Sequence, residues 1–188
     1  MVQKIEHMPN ELGFLTPTVI SVLSLFLDNP MTEYYEREVL RLTGVSKGSA
    51  NNILRLLTNK GLLSKSTKGR MVFYRLNSDD AISKQFKILR NTFALKDLID
   101  SLKSYSKKII LFGSVSQGTD TQESDIDLFV LSSEKEGVRR EISNFNKKLA
   151  RKINPIVVNG NELVKMEKGD RPLYENIDRG IVLWQAAE

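Results

Sequence analysis

Apolar positions in the first part of the chain recur at helical spacing and later shift to short continuous runs. Residues 16–28, TPTVISVLSLFLD, predict a first helix with Pro17 at an early position and an end near Asn29-Pro30. Thr32 is placed to cap a second helix through EYYEREVLRLTG, with Gly44 as its terminator. Ser46 opens a third, KGSANNILRLLTNKG, closed by Gly61, with Ile53, Leu56 and Leu57 marking one buried face. LLSKSTKGRMVFYRLN then reads as two β-runs around a Thr67-Lys68-Gly69 turn. In 79–106, Ile82, Phe86, Leu89 and Phe93, followed by Leu98, Ile99 and Leu102, describe one long amphipathic helix or two shorter ones. Beyond it, IILFG, IDLFVL and INPIVV are apolar runs of strand type, and VRREISNFNKKLAR is helical. That alternation argues for an α/β second domain. The expected organisation is a first domain over 1–78, a linker helix over 79–106 and a second domain over 107–188, with no internal repeat.

Length and composition agree with two small domains or one large one, since the chain has 188 residues, 40% of them hydrophobic and 27% charged. No apolar run is long enough to span a membrane, and Lys4, Glu6 and Glu11 interrupt the N-terminus before a signal-type stretch develops. A soluble, cytoplasmic protein is expected. With no cysteine and His7 as the sole histidine, disulfides, thiol nucleophiles, cysteine-ligated zinc and a Ser-His-Asp triad are disfavoured. Metal chemistry would rest on oxygen ligands, which favours Mg²⁺ or a similar hard cation. The formal net charge of +5 hints at a polyanionic partner without deciding it.

The location of the charge says more. Between Thr43 and Ser78 lie Lys47, Arg55, Lys60, Lys65, Lys68, Arg70 and Arg75, with no acid among them. Ser46, Lys47, Ser49, Asn51, Asn52 and Arg55 sit on the first turns of the third helix, where a recognition helix meets base edges, and Lys68 and Arg70 fall near the hairpin tip. Asn and Arg can make paired hydrogen bonds to bases, while Lys and Ser mostly hold phosphates. A solvated basic face, or a protein-interaction module, would leave the same composition. The order of elements, with REVLRLTGVSKGSANNILRLLTNKGLL followed by the hairpin, resembles the winged-helix transcription regulators from about Thr16 to Asn77. That resemblance implies duplex DNA as a partner and two-fold dimers as a common assembly.

IILFGSVSQGTDTQESDIDLFVL carries the second constellation. Gly113-Ser114 follows an apolar strand, and Asp125-Ile126-Asp127 opens the next. Strand alternation puts Asp125 and Asp127 on one face with Ile126 turned to the core. Two adjacent carboxylates repel unless a cation sits between them, so the pair suggests metal. Gly113 permits close backbone approach to a ligand, Ser114 supplies a hydroxyl and an N–H, and a short helix near Val115 would aim its N-terminus at phosphate.

Gly-Ser, this spacer and Asp-x-Asp between apolar residues resemble the polymerase-beta-like nucleotidyltransferase superfamily, especially its minimal members, over about Lys107 to Trp184. The resemblance implies a mixed sheet with flanking helices. It makes Gly113 and Ser114 the holders of NTP phosphates, and Asp125 and Asp127 the catalytic and metal-binding pair for Mg²⁺ or Mn²⁺. It also implies a third carboxylate on a later strand, at a position that aligns with KINPIVV and is here Asn154. Asparagine offers a neutral oxygen but no base and no charge. Glu162 is the nearest acid beyond the strand, while Asp120 and Glu123 in the spacer read as solvated loop charges. The expected function is a DNA-binding protein whose second domain binds Mg-NTP and transfers a nucleotidyl group to an unknown acceptor. The alternative is a weak or inactive relative acting as a transcription regulator, or as an antitoxin-type partner of a toxin-like protein. Whether the protein is an enzyme stays open at Asn154.

Overall fold

The computed structural model describes residues 10–187; Lys4, Glu6, His7 and the rest of the first nine positions lie outside the described residues. The protein is mixed α/β and divides into two compact units, Met1–Asn77 and Ser78–Glu188. In the first, α1 (Pro17–Asp28) starts where the Thr16 hydroxyl accepts from the Val19 N–H at 3.3 Å. It buries Val22, Leu23 and Phe26. Next come β1 (Tyr34–Tyr35), α2 (Glu36–Thr43), α3 (Lys47–Asn59), β2 (Leu63–Lys68) and β3 (Met71–Leu76).

The expectation of a Thr32 cap fails, because Tyr34 and Tyr35 form a strand that pairs antiparallel with Tyr74 and Phe73. Edge-on ring contacts of Tyr34 with Phe26 and of Tyr35 with Phe73 repay the two tyrosines for leaving the helix. α2 therefore begins at Glu36, where Glu38 accepts from the Tyr35 N–H at 3.1 Å, and it ends at Gly44. The hairpin turn is Gly69-Arg70, one position later than the sequence suggests, since Lys68 still pairs with Met71. The three strands order β1-β3-β2.

The second unit runs α4 (Ala81–Ala94), α5 (Lys96–Leu102), β4 (Lys108–Phe112), α6 (Gly113–Gln117), β5 (Ile126–Leu131), α7 (Lys135–Asn146), β6 (Ile153–Val158), α8 (Gly160–Gly169), α9 (Arg171–Asp178) and β7 (Ile181–Gln185). Its sheet orders β6-β5-β4-β7, with β5 and β6 parallel and the other pairs antiparallel. One sheet face packs Ile109, Leu111, Leu128 and Val130 against α5 and α7. The other packs Ile110, Phe112 and Phe129 against α8 and α9.

The 79–106 segment is not a linker standing between the units. It forms two helices counted with the second unit, and Leu95, Leu98, Ile99 and Leu102 lie in that unit's core. α4 is turned against its own hydrophobic pattern: Ser83 and Lys87 are buried, while Ile82, Leu89 and Phe93 are 53%, 52% and 67% exposed. The cause is Asp120, which is only 4% exposed and is not the solvated charge the sequence suggests. Lys87 pairs with its Oδ1 at 3.2 Å and also donates to its main-chain oxygen. Arg151 Nη1 reaches its Oδ2 at 2.8 Å, and Asn91 Nδ2 the same oxygen at 3.2 Å. Ser83, Lys87 and Asn91 lie four residues apart, so they form one helix face. A buried carboxylate must be paired, and that requirement turns the polar face inward.

Asp120→Ala would leave buried Lys87 and half-buried Arg151 without their counter-ion, an expected loss of about 3–5 kcal/mol. Lys87→Met should cost less, because Asp120 would keep Arg151 and Asn91. Trp184 is the sole tryptophan and packs on the second unit's core, so its fluorescence in urea titrations reads this unit directly.

Candidate functional site

Asp127 sits second in β5, an inner strand of the sheet, flanked by Phe112 on β4 and Asn154 on β6. It shares a sheet face with Phe112 and Phe129, while Ile126 turns to the opposite core. Gly113, the residue after β4, has φ +71°, and a Cβ there would overlap Asp127 Oδ2. The other oxygen, Oδ1, accepts from Asn154 Nδ2 at 3.3 Å. Gly113, Asp127 and Asn154 therefore meet at one end of the sheet, on three adjacent strands or their ends.

Asp125 is exposed and precedes β5; Ser114 is half-buried in α6, which begins at Gly113 rather than near Val115. The path between them is anchored. A Cβ at Gly118 would come within 2.5 Å of the Lys84 main-chain oxygen, so the spacer runs hard against α4. Arg151 Nε then donates to the Ser124 main-chain oxygen at 2.8 Å, next to Asp125.

Glu162 does not join this group. Val158 lies four positions along β6 from Asn154, roughly 13 Å, and Glu162 lies beyond Val158 at the far end. There it accepts from the Asn159 N–H at 2.9 Å in a reciprocal cap of α8, and it pairs with Lys135. The Lys135 hydrogen bond, with the Asn159 N–H behind it, holds its carboxyl below the usual range. Among the described residues no group of three or more metal-ligating His, Cys, Asp or Glu assembles.

In the first unit, Ser46 caps α3 by accepting from the Ser49 N–H at 3.3 Å, and the two hydroxyls bond at 2.9 Å. Lys47, Asn52, Arg55 and Arg70 are exposed. Asn51 and Lys68 are already engaged: Asn51 Nδ2 donates to Glu36 Oε2 at 3.0 Å, and Lys68 pairs with Glu33 while lying 5.3 Å from the Phe73 ring centre. Burial, then Glu36, push the Tyr74 phenol up, and Arg55 opposes them. Acids from before Thr43 thus fold against a stretch that has none of its own.

Sequence reasoning missed Lys87, Asp120 and Arg151, and the signal available was the Ser83, Lys87, Asn91 stripe at four-residue spacing. It missed Glu33 and Glu36 for want of any sequence proximity.

Residues 96–188 match the family model described as polymerase beta, nucleotidyltransferase. No curated protein matches the chain. Among solved structures, a toxin–antitoxin with AMP-PNP is 22% identical over 51% of this chain and 74% of its own, with a TM-score of 0.38. A candidate nucleotidyltransferase from Sulfolobus solfataricus is 16% identical over 54% and 86%, with a TM-score of 0.37. A DNA-binding protein from the same organism is 18% identical over 47% and 97%, with a TM-score of 0.31.

Gly113→Ala should destabilise the second unit by about 1–2 kcal/mol from the left-handed backbone alone, and further by displacing Asp127. Gly160→Ala is the control, since a Cβ there meets nothing within 4 Å and lies at a helix start. Trp184 unfolding curves should separate the two variants clearly.

Proposed function

We propose that the second unit, whose residues 96–188 match the polymerase beta nucleotidyltransferase family, binds an NTP with one divalent cation, and that the first unit is a winged helix holding duplex DNA. The observation that carries the nucleotide reading is the meeting of Gly113, Asp127 and Asn154 beside Asp125. Asp125 and Asp127 would hold the cation. Ser114 would donate its hydroxyl and N–H to phosphate, and Gly113 keeps that backbone close to the carboxylates. A bound Mg²⁺ or Mn²⁺ would neutralise the triphosphate and favour displacement at the α-phosphorus, with pyrophosphate leaving.

Asn154 determines how far the chemistry goes. It donates to Asp127, so it occupies a carboxylate lone pair rather than adding negative charge, and it cannot take a proton from an attacking hydroxyl. With Glu162 committed to its cap and to Lys135, no third acid joins the site among the described residues. The reading is therefore binding with slow or absent transfer.

For the first unit, the support is α2 and α3 packed beside a three-stranded sheet, with Lys47, Asn52, Arg55 and Arg70 exposed. The DNA-bound form is a two-fold dimer, matching a palindromic site.

Calorimetry should detect Mg²⁺-dependent NTP binding that Asp127→Ala abolishes. A labelled-NTP assay should find little transfer by the wild type and more by Asn154→Asp. Fast wild-type transfer would overturn the role given to Asn154, and unchanged binding in Asp127→Ala would remove the site altogether.

DNA binding should weaken with salt, each Lys or Arg contact to phosphate adding about −0.9 to the log–log slope. Arg70→Ala should flatten that slope more than Lys68→Ala, because Glu33 already holds Lys68. Glu33→Gln should tighten binding by releasing it. Salt-insensitive binding, or equal effects at Lys68 and Arg70, would contradict this picture.

A further inference from the structure

Asp125 stands in exposed chain just before β5, yet the peptide groups on both sides of it are held. The Ser124 carbonyl accepts from Arg151 Nε at 2.8 Å, and the Ile126 N–H donates to the Lys152 main-chain oxygen at 2.9 Å. Both partners belong to one short segment that leads into β6. The Ser124 carbonyl lies in the peptide plane before Asp125, and the Ile126 N–H in the plane after it. Fixing those two planes fixes φ and ψ of Asp125, and with them the direction in which its side chain leaves the backbone.

The two bonds differ in origin. The one from Ile126 continues the parallel ladder of β5 with β6, which is main chain to main chain. The other comes from a side chain whose Nη1 also reaches Asp120 Oδ2 at 2.8 Å. Asp120 is held in turn by Lys87 and Asn91 on α4. A guanidinium presents its N–H groups in a rigid planar fork, so anchoring one arm on Asp120 aims the other at Ser124. The Arg151 side chain is 19% exposed, which keeps most of this arrangement out of water.

We propose that Arg151 is a positioning residue for the cation site, setting the aim of Asp125 through the Ser124 carbonyl rather than by ligation. The inference rests on the proposed reading of Asp125 and Asp127 as cation ligands, and it adds the residue that orients one of them. Asp127 lies within β5, between Gly113 and Asn154. Asp125 lies outside the ladder and depends on the clamp.

Mn²⁺ is the probe, titrated into the full chain without nucleotide and followed by electron paramagnetic resonance. Trp184 unfolding in urea is read on the same samples. The wild type should bind Mn²⁺, and Asp127→Ala should abolish that binding. Arg151→Met should weaken it by about 10- to 100-fold, the usual cost of losing a group that orients a metal ligand. Lys87→Met is the matched control, because it also takes a cation from Asp120 but has no bond to Ser124. It should lower the unfolding midpoint and leave Mn²⁺ affinity unchanged. Arg151→Lys keeps a charge for Asp120 but offers one nitrogen in place of the fork, so it should regain stability without regaining affinity. That variant also decides the matter if Arg151→Met does not fold. No Mn²⁺ binding by the wild type would overturn the cation site and this inference with it. Mn²⁺ held by Arg151→Lys as tightly as by the wild type, or lost alike in Lys87→Met and Arg151→Met, would overturn the positioning role alone.

Discussion

Asp120 sits in the spacer between Gly113-Ser114 and Asp125, almost wholly out of water, and meets Lys87, Asn91 and Arg151 there. A carboxylate in that position is several kcal/mol unfavourable unless its partners stay in place. Each partner belongs to a different argument about the molecule. Lys87 and Asn91 set the rotation of α4. Arg151 ties the segment before β6 to the spacer, and through the Ser124 oxygen it reaches the chain beside Asp125. One buried charge thereby ties the chain beside Asp125 to the face that α4 presents outward.

The candidate site is closely packed around Asp127. Gly118 presses on the α4 backbone, Gly113 presses on Asp127, and Asn154 closes the other side of the same carboxylate. The Asn154 amide already donates to one oxygen of Asp127. The amide lies where the resemblance leads one to expect an acid. In the proposed reading such a site would hold a charged ligand better than it moves a proton.

In the first unit the electrostatics are more local. A segment without acids in sequence acquires Glu33 and Glu36 in space, one on Lys68 and one on Asn51. Exposed pairs of this kind contribute little to stability, so their consequence is to hold two side chains away from other uses. The basic character that remains lies on exposed Lys47, Arg55, Lys65, Arg70 and Arg75.

The sequence alone was enough for α1, for α3 with its Ser46 cap, for the hairpin and for the Gly-Ser and Asp-x-Asp strands. Each is written in local spacing, in a cap or in short apolar runs, and local signals survive without a fold. The resemblance put Asn154 where a third carboxylate is expected, and the parallel register of β5 and β6 sets it beside Asp127. Tertiary structure decided what depends on partners distant in the chain. Tyr34 and Tyr35 became a strand because β3 and Phe26 receive them. Glu162 went to the far end of the sheet because β5 and β6 run parallel. α4 shows its apolar side because burying a charge without its partners costs more than exposing three hydrophobic side chains. Periodicity reports which face of a helix is apolar, and only the folded neighbours determine which face turns inward.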